Sequence, residues 1–288
     1  MKNLNKICAT ADWSDPELSE MMEEILQPGI KKAAEIVGRH RKHWEWAIGM
    51  LALKKAGKID NNCTFLGIGS GTEAPVFYLT NHAKYVFCTD LYTITSETWK
   101  EANKSMLANP ELFALGQFNR KRLGVQIMSG TDIHFEDNTF DAIFSYSSIE
   151  HFGTRKAVLE CMKEIERVLK PGGIASVATE IFVGTESEKL YRYRKKDSQF
   201  PYNLLRGHYK IFSEIFTRDE LEKYLLSSTN MKLLYPIDFS IDVNDLAGAV
   251  KFPVTKEYNY DQNITHIFLD MNGMLWGSIH ISLIKPLT

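Results

Sequence analysis

Three glycines at alternate positions, Gly67, Gly69 and Gly71 in FLGIGSGTE, directly follow an apolar run that reads as a β-strand. Glycine at a strand-to-helix turn lets a ligand approach the backbone N–H groups, because no Cβ stands in the way. The spacing is GxGxG and not the GxGxxG of the dinucleotide fingerprint, which disfavours NAD. A tight turn without a ligand would use the same residues. Asp90 follows 19 residues beyond Gly71, at the end of KYVFCTD. A carboxylate at the tip of a second strand is placed to accept from both hydroxyls of a ribose. The plain alternative is a surface Asp capping the next helix. Asp132, in MSGTDIHFEDNTFDAIFS, lies just past a third strand. There it is placed to accept from the exocyclic amine of an adenine, with Ile133 packing on one face of the ring. Beyond a fourth strand, SSIEHFG brings Ser147, Ser148, Glu150 and His151, and Glu180 comes after a fifth. Histidine has the unperturbed pKa nearest neutrality, so His151 is the leading candidate for a general base. Glu150 or Glu180 would orient its ring, and His208 is the second candidate.

The elements that must position these groups alternate between strand and helix. Strands are expected at 63–71 (a short apolar run ending in glycines), 84–90, 123–130, 140–147 and 174–183, with a helix over 155–170 ended by Pro171-Gly172-Gly173. That rhythm means a parallel sheet with right-handed crossovers. Ahead of it, Asp15-Pro16 starts a helix that Gln27-Pro28-Gly29 stops. A second helix is expected from Lys31 to Ala56, with Gly57 as its stop. Trp46, Met50 and Leu53 fall on one face of it and read as packing. After 183 the pattern loosens into an aromatic and basic stretch, 191–210. TRDE, 217–220, then forms a capping box, and Asn272-Gly273 marks a hairpin between two apolar strands. The fold class expected is therefore α/β: a Rossmann-like, mostly parallel sheet with a C-terminal antiparallel hairpin. It divides into an N-terminal helical extension (1–60), a cofactor-binding core (61–183) and a substrate-side stretch with completing strands (184–288).

Composition narrows the function classes. The 288 residues are 44% hydrophobic and 24% charged, ordinary values for a folded chain. The formal charge of −2 argues against a protein built mainly to grip nucleic acid or anionic lipid. Cys8, Cys63, Cys88 and Cys161 match no zinc or CxxC spacing, and no His or Asp pair has ligand spacing on one element, so no metal is expected. The first residues hold no secretory signal, and AIGMLAL is too short to span a bilayer. A cytoplasmic protein with free thiols is expected.

Taken together, FLGIGSG, FCTDLY, SGTDIHFEDNTFDAIFSYSSIEHFG and EIERVLKPGGIASVATE resemble the class I S-adenosylmethionine-dependent methyltransferases over about 60–183. The resemblance implies S-adenosylmethionine as cofactor. Its methionine part would lie in the loop Gly67, Gly69, Ser70 and Gly71, its ribose on Asp90 with Leu91, and its adenine at Asp132 and Ile133, with Ser147 alongside. One departure stands out. The family usually carries an acid two positions before the first glycine, where this chain has Phe65, and Glu73 is the substitute within reach. The longer pattern, from HRKHWEWA through LGIGSGTEAPVFYLTN and SSIEHFG to PIDFSIDV and HIFLDMNGMLWGSIHISLIK, resembles methyltransferases associated with bacterial surface-polysaccharide synthesis. That resemblance implies a hydroxyl of a glycan or small molecule as methyl acceptor. Residues 184–216 would roof the pocket, with Tyr191, Arg192, Arg194, Lys195, Lys196 and His208 available to substrate. The competing readings are an NAD(P)-dependent Rossmann oxidoreductase and a non-catalytic cofactor-binding module.

Overall fold

The computed structural model describes residues 1–26, 40–92, 102–196, 214–251 and 267–287. Its sheet contains β1 (Lys6–Ile7), β2 (Thr64–Ile68), β3 (Tyr85–Asp90), β4 (Leu123–Ile127), β5 (Phe140–Tyr146) and β6 (Leu169–Phe182). It is completed by β7 (Lys232–Leu233), β8 (Val250–Lys251), β9 (Leu269–Met271) and β10 (Met274–Ile284). The strand order is β4-β3-β2-β5-β6-β10-β9-β8, with β1 and β7 also pairing on β10. Strands β2 to β6 pair in parallel with one another, while β10 runs antiparallel to β6 and β9. The order reverses between β2 and β5, so the loops leaving their C-terminal ends diverge and open a crevice, the usual ligand position in an open α/β sheet. The mostly parallel α/β architecture expected from the sequence is the one found.

Two local expectations need correction. Pro171-Gly172-Gly173 does not separate helix from strand: β6 begins at Leu169 and runs through it. The extra residues form an irregularity between the pairs Phe140↔Leu169 and Ala142↔Ile174. Gly172 takes a φ of +73°, and the Gly172 N–H and Gly173 C=O bond to the Lys285 backbone at 2.8 and 3.0 Å. The segment is thus satisfied by strand partners despite its turn-like composition. Second, the helix over Arg41–Lys55 is not apolar on one face alone: Trp44, Ala47, Ile48, Met50, Leu51, Ala52 and Leu53 are all buried. This helix, α2, lies between α1 (Pro16–Leu26) and the sheet. Gly49 permits that approach, since a Cβ there would meet the Tyr146 ring, 2.5 Å from Cε1. The stop at Gln27-Pro28-Gly29, the helix start at Lys31 and most of the stretch 191–210 lie outside the described residues, while three further signals are found where expected. Asp15 Oδ1 caps α1, Thr217 and Glu220 form the capping box, and Asn272-Gly273 turns the hairpin with φ of +54° and +85°.

His280, on β10, is fully buried. Its Nδ1–H donates to the Leu4 carbonyl at 2.7 Å, and Nε2 lies 2.9 Å from Ser176 Oγ. Burial lowers its pKa to about 4, against a small opposing effect of the Leu4 carbonyl and the Glu45 charge. The folded state then binds fewer protons than the unfolded chain between about pH 4 and 6.5, so stability falls as pH falls through that window. From pH 7 to pH 5 this histidine alone should cost about 2 kcal/mol. Urea unfolding at the two pH values checks it: His280→Asn, which keeps a donor toward Leu4, should lose that much of the pH dependence.

Candidate functional site

The loops beyond β2 and β5 meet across the crevice. Gly69 has a φ of +58°, and a Cβ there would collide with Ser148 Oγ, which follows β5. Ser70 is buried with its Oγ 3.1 Å from Cys88 Sγ, and the Tyr92 hydroxyl donates to the Gly71 carbonyl at 3.0 Å. Burial pushes the Cys88 thiol up to about 12, so it serves this network as a neutral group. Asp90, at the end of β3, closes the loop from the other side. Its Oδ2 accepts from Gly71 N–H at 3.2 Å and its Oδ1 from Leu91 N–H at 2.7 Å. Burial raises the Asp90 pKa, with those amides opposing it. Leu91 beside it is half exposed.

Beyond β5, Ser147 takes a φ of +47°, outside the usual range for a residue with a side chain. Its N–H donates to Ala178 O at 2.9 Å and its Oγ to Glu45 Oε2 at 2.6 Å, which holds the turn. Glu150 is buried, with Oε2 accepting from Thr179 Oγ1 at 2.9 Å. Burial raises its pKa, and the neighbouring His151 pulls the other way. Its Oε1 has no hydrogen-bond partner among the described residues. His151 Nδ1 lies 2.9 Å from Glu214 Oε2. Burial alone would lower the His151 pKa, but the Glu214 bond and the Glu150 and Glu214 charges outweigh it and raise the value. Glu180 sits within β6 and not after it, opposite Ser278 of β10, and pairs with Arg41.

Asp132 and Ile133 follow β4, just past Gly130, which packs against Ile68 and Phe152. The Asp132 carboxylate is 76% exposed and lies 3.0 Å from His134 Nε2. Ile133 is buried, its N–H donating to Glu164 and its carbonyl accepting from Arg167. His208 lies outside the described residues, as do the side chains of Arg194, Lys195 and Lys196. Of the remaining candidate substrate contacts, Tyr191 packs tilted on Phe182 and Arg192 pairs with Asp219 and Glu188.

The sequence reading missed the contribution of α2. Lys42 Nζ donates to the Tyr146 carbonyl at 2.6 Å and pairs with Glu73 Oε1 at 2.5 Å. Glu45, fully buried, accepts from Ser147 and Ser278 hydroxyls. The available signal was three charged residues, Arg41, Lys42 and Glu45, at the start of an otherwise apolar helix. Glu214 gave no signal, being 63 residues from His151 with nothing in the sequence to join them. Among the described residues, no helix is long and apolar enough to cross a membrane.

Residues 66–177, which hold these loops, match the family described as "Methyltransferase domain". The fold is that of the class I methyltransferases. A geranyl diphosphate C-methyltransferase from Streptomyces coelicolor A3(2) superposes with a TM-score of 0.53 at 14% identity, covering 98% of this chain and 88% of that one. Among curated proteins, a probable tRNA methyltransferase 9B from Mus musculus is 35% identical over 79 residues, 27% of this chain. A glycine/sarcosine/dimethylglycine N-methyltransferase from Actinopolyspora halophila is 30% identical over 125 residues, 42% of this chain. The matched stretches span only 17% and 19% of those two relatives. The methyltransferase core is thus shared with proteins whose names give nitrogen and carbon acceptors, and the comparisons do not single out oxygen or a polysaccharide pathway.

Proposed function

We propose that this chain is an S-adenosylmethionine-dependent methyltransferase acting on a hydroxyl of a sugar or small molecule. The observation that carries the hydroxyl reading is the His151–Glu214 pair at the C-terminal edge of the sheet. Glu214 fixes the ring through Nδ1 and stabilises its charged form, as a general base requires. The residues present fit the cofactor. The loop at Gly69 is pressed against Ser148 with its backbone bare of any Cβ, and Glu73 Oε2 is a buried oxygen without a hydrogen-bond partner among the described residues. Bound S-adenosylmethionine supplies an electrophilic methyl on a sulfonium, so the protein's work is alignment and removal of the acceptor proton. The Gly67, Gly69, Ser70 and Gly71 loop receives the methionine part, Asp90 the ribose hydroxyls, and Leu91 offers an apolar surface to the base. Asp132 reaches the adenine only by leaving His134, and Ser147 shapes the floor between loop and acceptor. Glu150 adds charge beside His151, and Glu180, held by Arg41, lies on the acceptor side. The N-terminal helices, 1–60, cover the core of 61–183, and 184–288 completes the acceptor side. A cytoplasmic glycan precursor is the acceptor class that the sequence resemblance favours.

Two measurements test this reading. Mass spectrometry of ligand released from the purified protein should find S-adenosylhomocysteine or S-adenosylmethionine, and a nicotinamide dinucleotide would overturn it. Labelled S-adenosylmethionine with a host extract should then transfer its methyl to a base-stable ether, whereas label on nitrogen would overturn the hydroxyl acceptor. Asp90→Ala should weaken binding about tenfold or more, because charge-assisted bonds to two hydroxyls are each worth roughly 1.5–3 kcal/mol. An unchanged dissociation constant by calorimetry would remove Asp90 from the ribose site.

A further inference from the structure

The departure at Phe65, near the start of β2, leaves a charge unaccounted for. Phe65 is fully buried in the core, so β2 offers no carboxylate to the methionine end of a cofactor. Two charged groups stand instead where the glycine loop turns into α3 (Ala74–His82). Glu73 is the residue before α3, and its N–H donates to the Ser70 carbonyl at 3.1 Å, which ties it to the loop. Its side chain is nine-tenths buried, with Oε1 on Lys42 at 2.5 Å. Its Oε2 has no hydrogen-bond partner among the described residues, and the nearby Trp46 indole N–H helps to hold this carboxylate charged. Burial pushes the Glu73 pKa up to about 7, against the pull of Lys42, so the carboxylate is short of positive charge. Lys42 spends two of its three N–H donors on Glu73 and the Tyr146 carbonyl, and Glu45 lies beyond hydrogen-bond reach at 3.6 Å.

We propose that Lys42 and Glu73 hold the amino-acid end of S-adenosylmethionine, Glu73 taking its ammonium and Lys42 its carboxylate. The inference rests on the methyltransferase reading above. It assigns α2, outside the matched core, a direct part in cofactor binding. An ammonium beside Glu73 Oε2 supplies the missing partner, and a carboxylate beside Lys42 takes its remaining donor. The zwitterion adds no net charge to a buried cluster already rich in carboxylates. This is the arrangement that lets a buried ion pair accept a ligand without leaving a charge uncompensated.

The test uses two ligands that differ in that end alone. Calorimetry would compare S-adenosylhomocysteine with 5′-methylthioadenosine, which lacks the amino-acid part, on the parent protein, Lys42→Met and Glu73→Gln. Both variants should bind S-adenosylhomocysteine about tenfold or more weakly, as expected for losing a charge-assisted bond, with methylthioadenosine affinity unchanged. Equal losses for the two ligands, or no loss for either, would show the pair to be structural and overturn the inference. Glu73→Gln preserves side-chain shape and decides the matter if Lys42→Met does not fold. A parent protein that binds neither ligand would overturn the methyltransferase reading itself, and this inference with it.

Discussion

His151→Ala should lower turnover roughly 10²–10⁴-fold with cofactor affinity unchanged, the range expected when a general base is removed. The geometry sharpens this expectation. Glu214 sits 2.9 Å from Nδ1 and would be left in place without its partner. Glu214→Gln should therefore reproduce part of the loss. The pH profile should separate the two variants. The raised His151 pKa means that the parent's activity climbs with pH through a point above the ordinary histidine value, as the ring loses its proton. Without the carboxylate that point should move to lower pH. Full activity of His151→Ala across pH 6–9 at saturating acceptor would move the base to Glu180 or His208.

Gly69→Val should be the most damaging single change in the cofactor loop, and it should act on the fold as well as on binding. Sequence reasoning alone gives a loop in which added bulk displaces a ligand. The structure adds two costs that are present without any ligand: a φ of +58°, which a β-branched residue resists, and the collision with Ser148 across the crevice. Strain of this kind costs of order 1–3 kcal/mol before the displaced loop is considered. Thermal unfolding should show a clear loss of stability, and calorimetry no measurable cofactor binding. Gly69→Ala, with the same φ problem and less bulk, should fall between. A valine variant with parental melting temperature would show that Ser148 yields freely.

The sheet was legible because buried parallel strands read as short apolar runs, and 64–68, 85–90 and 140–146 are such runs. The glycine loop and Asp90 were legible for a related reason: they fall at strand ends, where the chain must turn. What escaped was everything set by approach between distant elements. Gly49 reads as a weak point in a helix, yet it is where α2 meets Tyr146. Lys42 and Glu45 read as helix charges, and only the packing of α2 on β5, β6 and β10 turns them inward. Pro171-Gly172-Gly173 carries every mark of a terminator, and the pairing with Lys285 that overrides it comes from the far end of the chain.

Strand β10 has a consequence for how the molecule is made. It is the latest strand in the sequence, yet it lies inside the sheet between β6 and β9, and β1 also pairs with it. The His280 contact with Leu4 spans 276 residues, and the Ser278 contact with Glu45 spans 233. Contacts of such long range close slowly, because the loop entropy is spent before the contact repays it. During synthesis the parallel half can assemble as it leaves the ribosome, while α2 waits with Glu45 in water until 274–284 emerges. The face of the sheet that β10 completes is thus among the last parts of the described structure to form.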